Sequence, residues 1–142
     1  MLANILSELS SKFSDKVEIF RKTEKSIYVS VLDRGTAIEV VKFLFVEKRL
    51  RFSTASGLDR REGIEILYHM ADDGKGMRVT VRVLVSKNDL NMPSCTSFMP
   101  AADWIEREIH EMFGVNFVGH PNLHRLLLPD DWPDQVYPLR KG

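Results

Sequence analysis

The chain has 142 residues, 20 basic and 20 acidic side chains, and a single cysteine. This length favours one domain with its own hydrophobic core, and the balanced charge argues against a nucleic-acid or anionic-membrane partner. One cysteine excludes a disulfide within the chain and a self-contained iron–sulfur cluster, and it favours a reducing, cytosolic setting.

The N-terminal part of the chain predicts one helix followed by two strands. Apolar residues recur at helical spacing from Leu2 to Phe13. Residues 17–21 and 26–32 then alternate apolar and polar side chains, which is typical of strands with one buried face. Residues 23–25 lie between them and are expected to turn the chain.

A second helix and three further strands are predicted next. Asp33 is placed to cap a helix that ends near Glu47. Residues 50–55, 64–71 and 77–85 are expected to form strands, with a tight turn at residues 73–76. This order predicts an α+β fold, in which helices pack on one face of a mainly antiparallel sheet.

A third helix is predicted to begin at Asp103 or a neighbouring residue and to end near Gly114, since glycine suits the position that ends a helix. Its apolar side comprises Ile105, Ile109, Met112 and Phe113. A different side carries Trp104, Arg107, Glu108 and Glu111. This second stripe is either a solvated face with an ordinary pair between Arg107 and Glu111, or a surface that contacts a partner.

Prolines dominate the C-terminal segment and predict an extended tail. Pro121, Pro129, Pro133 and Pro138 prevent one long helix there. The same segment carries apolar residues that need to be covered, either by this domain or by another protein. These are Leu126, Leu127, Leu128, Trp132 and Leu139. We therefore divide a single domain into an α+β core at residues 1–100 and a helix with a docking tail at residues 101–142.

Catalysis by this chain has weak support in the residues themselves. Glu106 and His110 stand one helical turn apart, and with Glu111 they could act as acid, base or metal ligands. Their spacing does not match the helix motif of zinc proteases. A stand-alone metal-dependent enzyme remains an alternative, as does a nucleic-acid module, but the sequence favours a binding module without catalytic, cofactor-binding or metal-binding residues.

The C-terminal part of the sequence resembles the signature of the 30-kilodalton subunit family of respiratory complex I and its relatives, which include membrane-bound energy-converting nickel–iron hydrogenases and formate hydrogenlyases. The residues that carry this resemblance are Trp104, Glu106, Arg107, Glu108, Phe113, Gly114, Phe117, Gly119, His120, Pro121, Leu123, Arg125, Leu127, Pro129, Asp131, Trp132, Pro138, Leu139, Arg140 and Lys141.

The resemblance implies a cofactor-free peripheral-arm subunit that clamps the large subunit bearing the nickel–iron or quinone site and stabilises the electron-transfer module. Nickel–iron and iron–sulfur clusters would then lie on partner subunits. The chain would sit at the cytoplasmic side of the cell membrane, held by the complex and not inserted. The residues implied to contact partners are Trp104, Arg107, Glu108, Glu111, Phe113, His120, Arg125, Trp132, Leu139, Arg140 and Lys141.

Two branches of the family fit the sequence to different degrees. The family usually has tyrosine and aspartate at the places of His110 and Glu111. The segment from Pro129 to Lys141 looks more like the hydrogenase and formate hydrogenlyase branch. We therefore expect a membrane-bound hydrogenase subunit, with the 30-kilodalton subunit of complex I proper as the alternative.

Overall fold

The computed structural model describes residues 2–121, 123 and 137–140. Its α-helices are α1 (Leu2–Phe13), α2 (Arg34–Lys42) and α3 (Asp103–Phe113). A π-helical turn, Phe43–Glu47, continues α2, and short 3₁₀ turns occupy Ser14–Lys16 and Pro100–Ala102. The strands are β1 (Val17–Thr23), β2 (Ser26–Val31), β3 (Arg51–Asp59), β4 (Gly63–Asp72), β5 (Met77–Ser86), β6 (Asn91–Pro93) and β7 (Asn116–Val118).

The main sheet has five strands in the order β1-β2-β5-β4-β3. Its neighbouring strands are antiparallel except for β2 and β5, which run parallel. The predicted α+β fold with a mainly antiparallel sheet is therefore confirmed. The strand predicted at residues 50–55 is longer than expected, because its pairing with β4 continues to Asp59 opposite Ile64.

One face of the sheet is buried beneath helices. Side chains such as Ile27, Val29 and Val81 point to this face and exclude solvent completely. They share one hydrophobic core with Leu9 of α1 and Val40 of α2. Burying this much apolar surface is the dominant favourable contribution to folding. The helices predicted from helical spacing thus pack on one face of the sheet predicted from alternation, as expected.

The start of α2 follows the predicted capping chemistry. One oxygen of Asp33 accepts a hydrogen bond from the Thr36 backbone N–H at 2.8 Å, and the other accepts from the Thr36 hydroxyl at 2.8 Å. These bonds satisfy a backbone donor that would otherwise lack a partner at the helix end. They also lower the pKa of Asp33 below its ordinary value, because they favour the charged carboxylate.

Two elements were not predicted from the sequence. The strands β6 and β7 pair in parallel and form a small second sheet, with Met92 opposite Phe117. Each has only three residues, which is too short for a periodic signal. Most of the predicted extended tail, residues 124–136, lies outside the described residues. Across the part of the chain that the structure describes, no helix is long and apolar enough to cross a membrane.

Candidate partner-binding surface

Helix α3 packs its apolar side on the core and ends where predicted. Ile109 and Phe113 are buried, and Ile105 and Met112 pack partly buried against the same core. The helix ends at Gly114, whose φ of +83° is a left-handed conformation that glycine adopts without strain. The Gly114 N–H donates to the carbonyl of His110 at 2.9 Å. The helix is therefore a fixed support for the side chains it exposes.

Glu106 lies on the buried side of α3 and holds a neighbouring loop. Its carboxylate accepts a hydrogen bond from the Ser94 hydroxyl at 2.6 Å and another from the Cys95 backbone N–H at 2.7 Å. The buried backbone N–H of Cys95 in this loop thereby has a hydrogen-bond partner. Glu106 is thus engaged in fixing the path of the chain between β6 and α3, and this contact was not predicted.

The interior beside Glu106 also contains Tyr68 and Cys95. Burial raises the pKa of all three groups above their ordinary values, since a charged form is disfavoured away from water. For Glu106, the hydrogen bonds from Cys95 and Ser94 act in the opposite direction. The Cys95 thiol is therefore held in its neutral, unreactive form, as expected for a structural cysteine.

The histidines of this region have partners within the chain. The His110 ring nitrogen Nδ1 lies 2.8 Å from the carbonyl of Val115. The ring nitrogen Nε2 of His120 lies 2.9 Å from a carboxylate oxygen of Asp103 and 3.1 Å from its carbonyl. Among the described residues no three His, Cys, Asp or Glu side chains converge to hold a metal, so Glu106, His110 and Glu111 do not form such a cluster.

The stripe predicted on the other side of α3 is uneven in exposure. Trp104 is 67% exposed, whereas Glu111 is buried. Arg107 and Glu108 are half-buried. The guanidinium carbon of Arg107 lies 5.9 Å from the centroid of the Trp104 ring, within the range of a cation–π contact. This pairing presents a large aromatic surface to solvent at the start of α3.

Residues 137–140 return to the far end of the same helix. The Leu139 N–H donates to the carbonyl of Met112 at 3.1 Å, and the Arg140 Nε–H donates to that of Phe113 at 2.6 Å. The Arg140 guanidinium also lies 4.6 Å from the ring centroid of Tyr137. A cation at a helix C-terminus is favourable. Arg140 therefore binds its own chain, and it leaves Leu139 55% exposed.

The residues implied to contact partners are thus only partly brought together. Trp104 and Leu139 are exposed at opposite ends of α3, while Phe113 is buried and the side chain of His120 is fully enclosed. Arg125, Trp132 and Lys141 lie outside the described residues. No local pattern in the sequence marks the contacts of Arg140 or Ser94, because their partners, Phe113 and Glu106, are distant along the chain.

Acid pH should stabilise the native chain relative to Glu106→Gln. Because the folded-state pKa of Glu106 is raised, the folded chain keeps its proton at a pH where the unfolded chain, with a glutamate pKa of about 4.3, has released it. The stabilising contribution is full below the unfolded-state pKa and is lost as the pH rises through the folded-state pKa. Glutamine does not titrate.

Urea unfolding of both proteins between about pH 4 and pH 8 measures this difference. The free energy of unfolding of the native chain, minus that of Glu106→Gln, should fall as the pH rises. A constant difference would show that the hydrogen bonds to the carboxylate offset its burial, and a difference that rises with pH would show that they outweigh it.

Comparison with known families identifies close similarity over most of the chain. Residues 30–142 match the family model described as "Respiratory-chain NADH dehydrogenase, 30 Kd subunit". Formate hydrogenlyase subunit 5 of Escherichia coli (strain K12) is 45% identical over 107 residues, covering 72% of this chain and 19% of that protein. The C/D subunit of the NADH-quinone oxidoreductase of Pseudomonas paraeruginosa is 34% identical over 152 residues, covering 97% of this chain and 25% of that protein.

Solved structures share the fold. The archaeal membrane-bound sulfane sulfur reductase contains a chain with a TM-score of 0.81 and 23% identity, covering 97% of this chain and 82% of that one. A trypsin-resistant fragment of Nqo5 has a TM-score of 0.71 and 27% identity, covering 86% of this chain and 98% of the fragment. The chain spans about a fifth to a quarter of the curated relatives described above.

Proposed function

Because this chain belongs to the family of the 30-kDa subunit of respiratory-chain NADH dehydrogenase, we propose that it is a cofactor-free peripheral subunit of a membrane-bound, energy-converting oxidoreductase. Its relatives include subunits of formate hydrogenlyase and of NADH-quinone oxidoreductase. In this proposal the chain clamps the large subunit that bears a nickel–iron or quinone site, and it stabilises the electron-transfer module. The nickel–iron and iron–sulfur clusters lie on partner subunits.

Trp104 is the observation that carries the clamping role. Trp104 is 67% exposed, so covering it with a partner would remove a large apolar area from water, which is favourable. Tryptophan and arginine are also the residue types that most often dominate the energy of protein interfaces. Trp104 with the adjacent Arg107 guanidinium therefore forms the centre of the proposed contact, and half-buried Glu108 lies one helical turn beyond it.

The return of residues 137–140 supports a second contact at the other end of α3. Leu139 is exposed, and its position is fixed by the backbone hydrogen bond to Met112. Arg140 holds the same turn by bonding to Phe113. A segment whose backbone is already fixed loses little conformational entropy on binding. We assign Leu139 to the interface, with Phe113 and Arg140 as its support.

The hydrogenase branch is favoured over complex I proper. The formate hydrogenlyase subunit is 45% identical and the NADH-quinone oxidoreductase subunit 34% identical over their respective matches. The alternative remains the 30-kilodalton subunit of an NADH/quinone-type complex I, which has the longer match. In either branch the chain would lie peripherally at the cytoplasmic side of the cell membrane, held there by its complex.

Affinity purification of the chain from gently solubilised native membranes tests this function. Mass spectrometry should identify a nickel–iron large subunit and ferredoxin-like subunits, and the preparation should contain nickel. Recovery of flavin-bearing and iron–sulfur subunits together with a quinone-site homologue would instead place the chain in complex I proper. Recovery of the chain alone would contradict the proposed function.

A further inference from the structure

A second surface lies on the sheet face opposite the helices. The register places Phe20 of β1 beside Tyr28 of β2, and Leu67 of β4 beside Arg82 of β5. Their side chains point away from the core, because they alternate with buried residues such as Val29 and Val81. We call this the outer sheet face.

The outer sheet face contains a groove of about 490 Å³. Its apolar lining comprises Phe20, Tyr28, Leu58 and Leu67, and its polar lining comprises Ser30, Arg60, Glu65 and Arg82. Phe20 is 51% exposed and Leu58 is 44% exposed. An apolar floor with a few convergent charged groups is the general form of a binding groove.

The charges at the groove do not balance. The Glu65 side chain is only 4% exposed and carries one negative charge. It accepts a hydrogen bond from Arg82 Nε at 2.7 Å and another from an Arg60 terminal nitrogen at 3.4 Å. Each guanidinium has five N–H donors, so one carboxylate cannot satisfy both arginines. Among the residues that line the groove, arginines therefore outnumber carboxylates by two to one, and they offer N–H donors suited to a second carboxylate.

The groove is continuous with the end of α3. A neighbouring hollow of about 340 Å³ is lined by Gly57, Asp59, Phe113 and Leu139, and it shares Leu58 and Arg60 with the groove. A chain segment contacting Leu139 can therefore pass the end of β3 and enter the outer sheet face. This route joins the groove to the surface proposed above for the partner.

We propose that the groove binds an extended segment of a neighbouring subunit, in which an Asp or Glu stands close to an aromatic or branched apolar residue. The carboxylate binds between Arg60 and Arg82, and the apolar side chain packs on Phe20, Tyr28 and Leu67. This inference rests on the proposed function, because the occupant is a subunit of the same complex.

Photo-crosslinking in the assembled complex tests the groove. Tyr28→p-benzoylphenylalanine is introduced into the full chain, native membranes are irradiated, and the trapped segment is sequenced by mass spectrometry. We expect one segment of a co-purifying subunit, with an Asp or Glu within about three residues of the trapped site. The same probe at Val46, exposed beside α2 on the helical side, is the control and should not trap that segment.

A charge reversal at Arg60 tests whether the bound segment contributes a carboxylate. Arg60→Glu should lower the cross-link yield at position 28 about tenfold, because like charges then face each other across the contact. Arg61→Glu makes the same charge change at the next, exposed position and should leave the yield within about twofold. Near-ultraviolet circular dichroism of Arg60→Glu confirms that the variant is folded.

The outcomes separate this inference from the proposed function. If the complex co-purifies but the probe at position 28 traps nothing, traps lipid, or traps a segment without a carboxylate, the groove proposal is wrong and the proposed function stands. Equal effects of Arg60→Glu and Arg61→Glu also overturn the groove proposal. If the chain purifies alone, both proposals fail.

Discussion

Glu106→Ala should lower the free energy of unfolding of the chain by about 2–4 kcal/mol, because it leaves a buried backbone donor unsatisfied and opens a cavity. The donor is the N–H of Cys95, which bonds to Glu106 at 2.7 Å. The Ser94 hydroxyl loses its bond to the same carboxylate. Urea unfolding of the purified full chain measures the change.

Two further variants serve as controls for Glu106→Ala. Glu106→Gln keeps an oxygen that can accept from the Cys95 N–H, so it should retain most of the stability at neutral pH. Glu108→Ala removes a carboxylate from the half-buried side of the same helix and should cost no more than about 0.5 kcal/mol. A Glu106→Ala variant as stable as Glu108→Ala would show that the loop does not depend on Glu106.

Trp104→Glu should lower recovery of the complex by at least about tenfold while leaving the chain folded, since burial of a tryptophan at an interface often contributes about 2 kcal/mol or more. Trp104 is 67% exposed in the chain alone, so its replacement removes little intramolecular packing. The measurement is the amount of large subunit recovered per mole of tagged chain from solubilised membranes.

Leu32→Glu is the matched control for Trp104→Glu. Leu32 is 70% exposed and lies just beyond β2, away from α3 in sequence, so the same charge is introduced at a comparably exposed apolar position. Recovery should stay close to that of the native chain. Equal losses in both variants would indicate a general effect of surface charge, and undiminished recovery with Trp104→Glu would remove Trp104 from the interface.

The elements that the sequence predicted are those with local chemical signals. The helical spacing from Leu2 to Phe13, the cap at Asp33 and the terminating Gly114 each specify a conformation within a few residues. The structure forms α1, α2 and the end of α3 at these positions. Alternation of apolar and polar residues likewise located the strands of the main sheet.

What the sequence did not predict depends on contacts between distant residues. Alternation shows which face of a strand is buried, but it does not show that β2 and β5 run parallel. The hydrogen bonds of Glu106 to the loop at Ser94, and of Arg140 to Phe113, also join residues far apart in the chain. No periodic or capping signal connects such pairs.

The candidate site shows the same limit. A helical projection grouped Trp104 with Glu111, yet the structure exposes the first and buries the second, because burial depends on what packs beside the helix. The exposed tryptophan and the exposed Leu139 could be proposed as interface residues from their types and from the family resemblance. The groove on the outer sheet face could not be inferred in this way, because locating it requires the register of β1, β2, β4 and β5.

A cryo-electron microscopy reconstruction of the complex purified through this chain tests the central claim most directly. We predict that Trp104 and Leu139 are covered by the large subunit, with the exposed fraction of Trp104 falling from 67% in the chain alone to below about 10%. A complex in which Trp104 stays in solvent, while the chain meets the large subunit through other residues, would contradict the account.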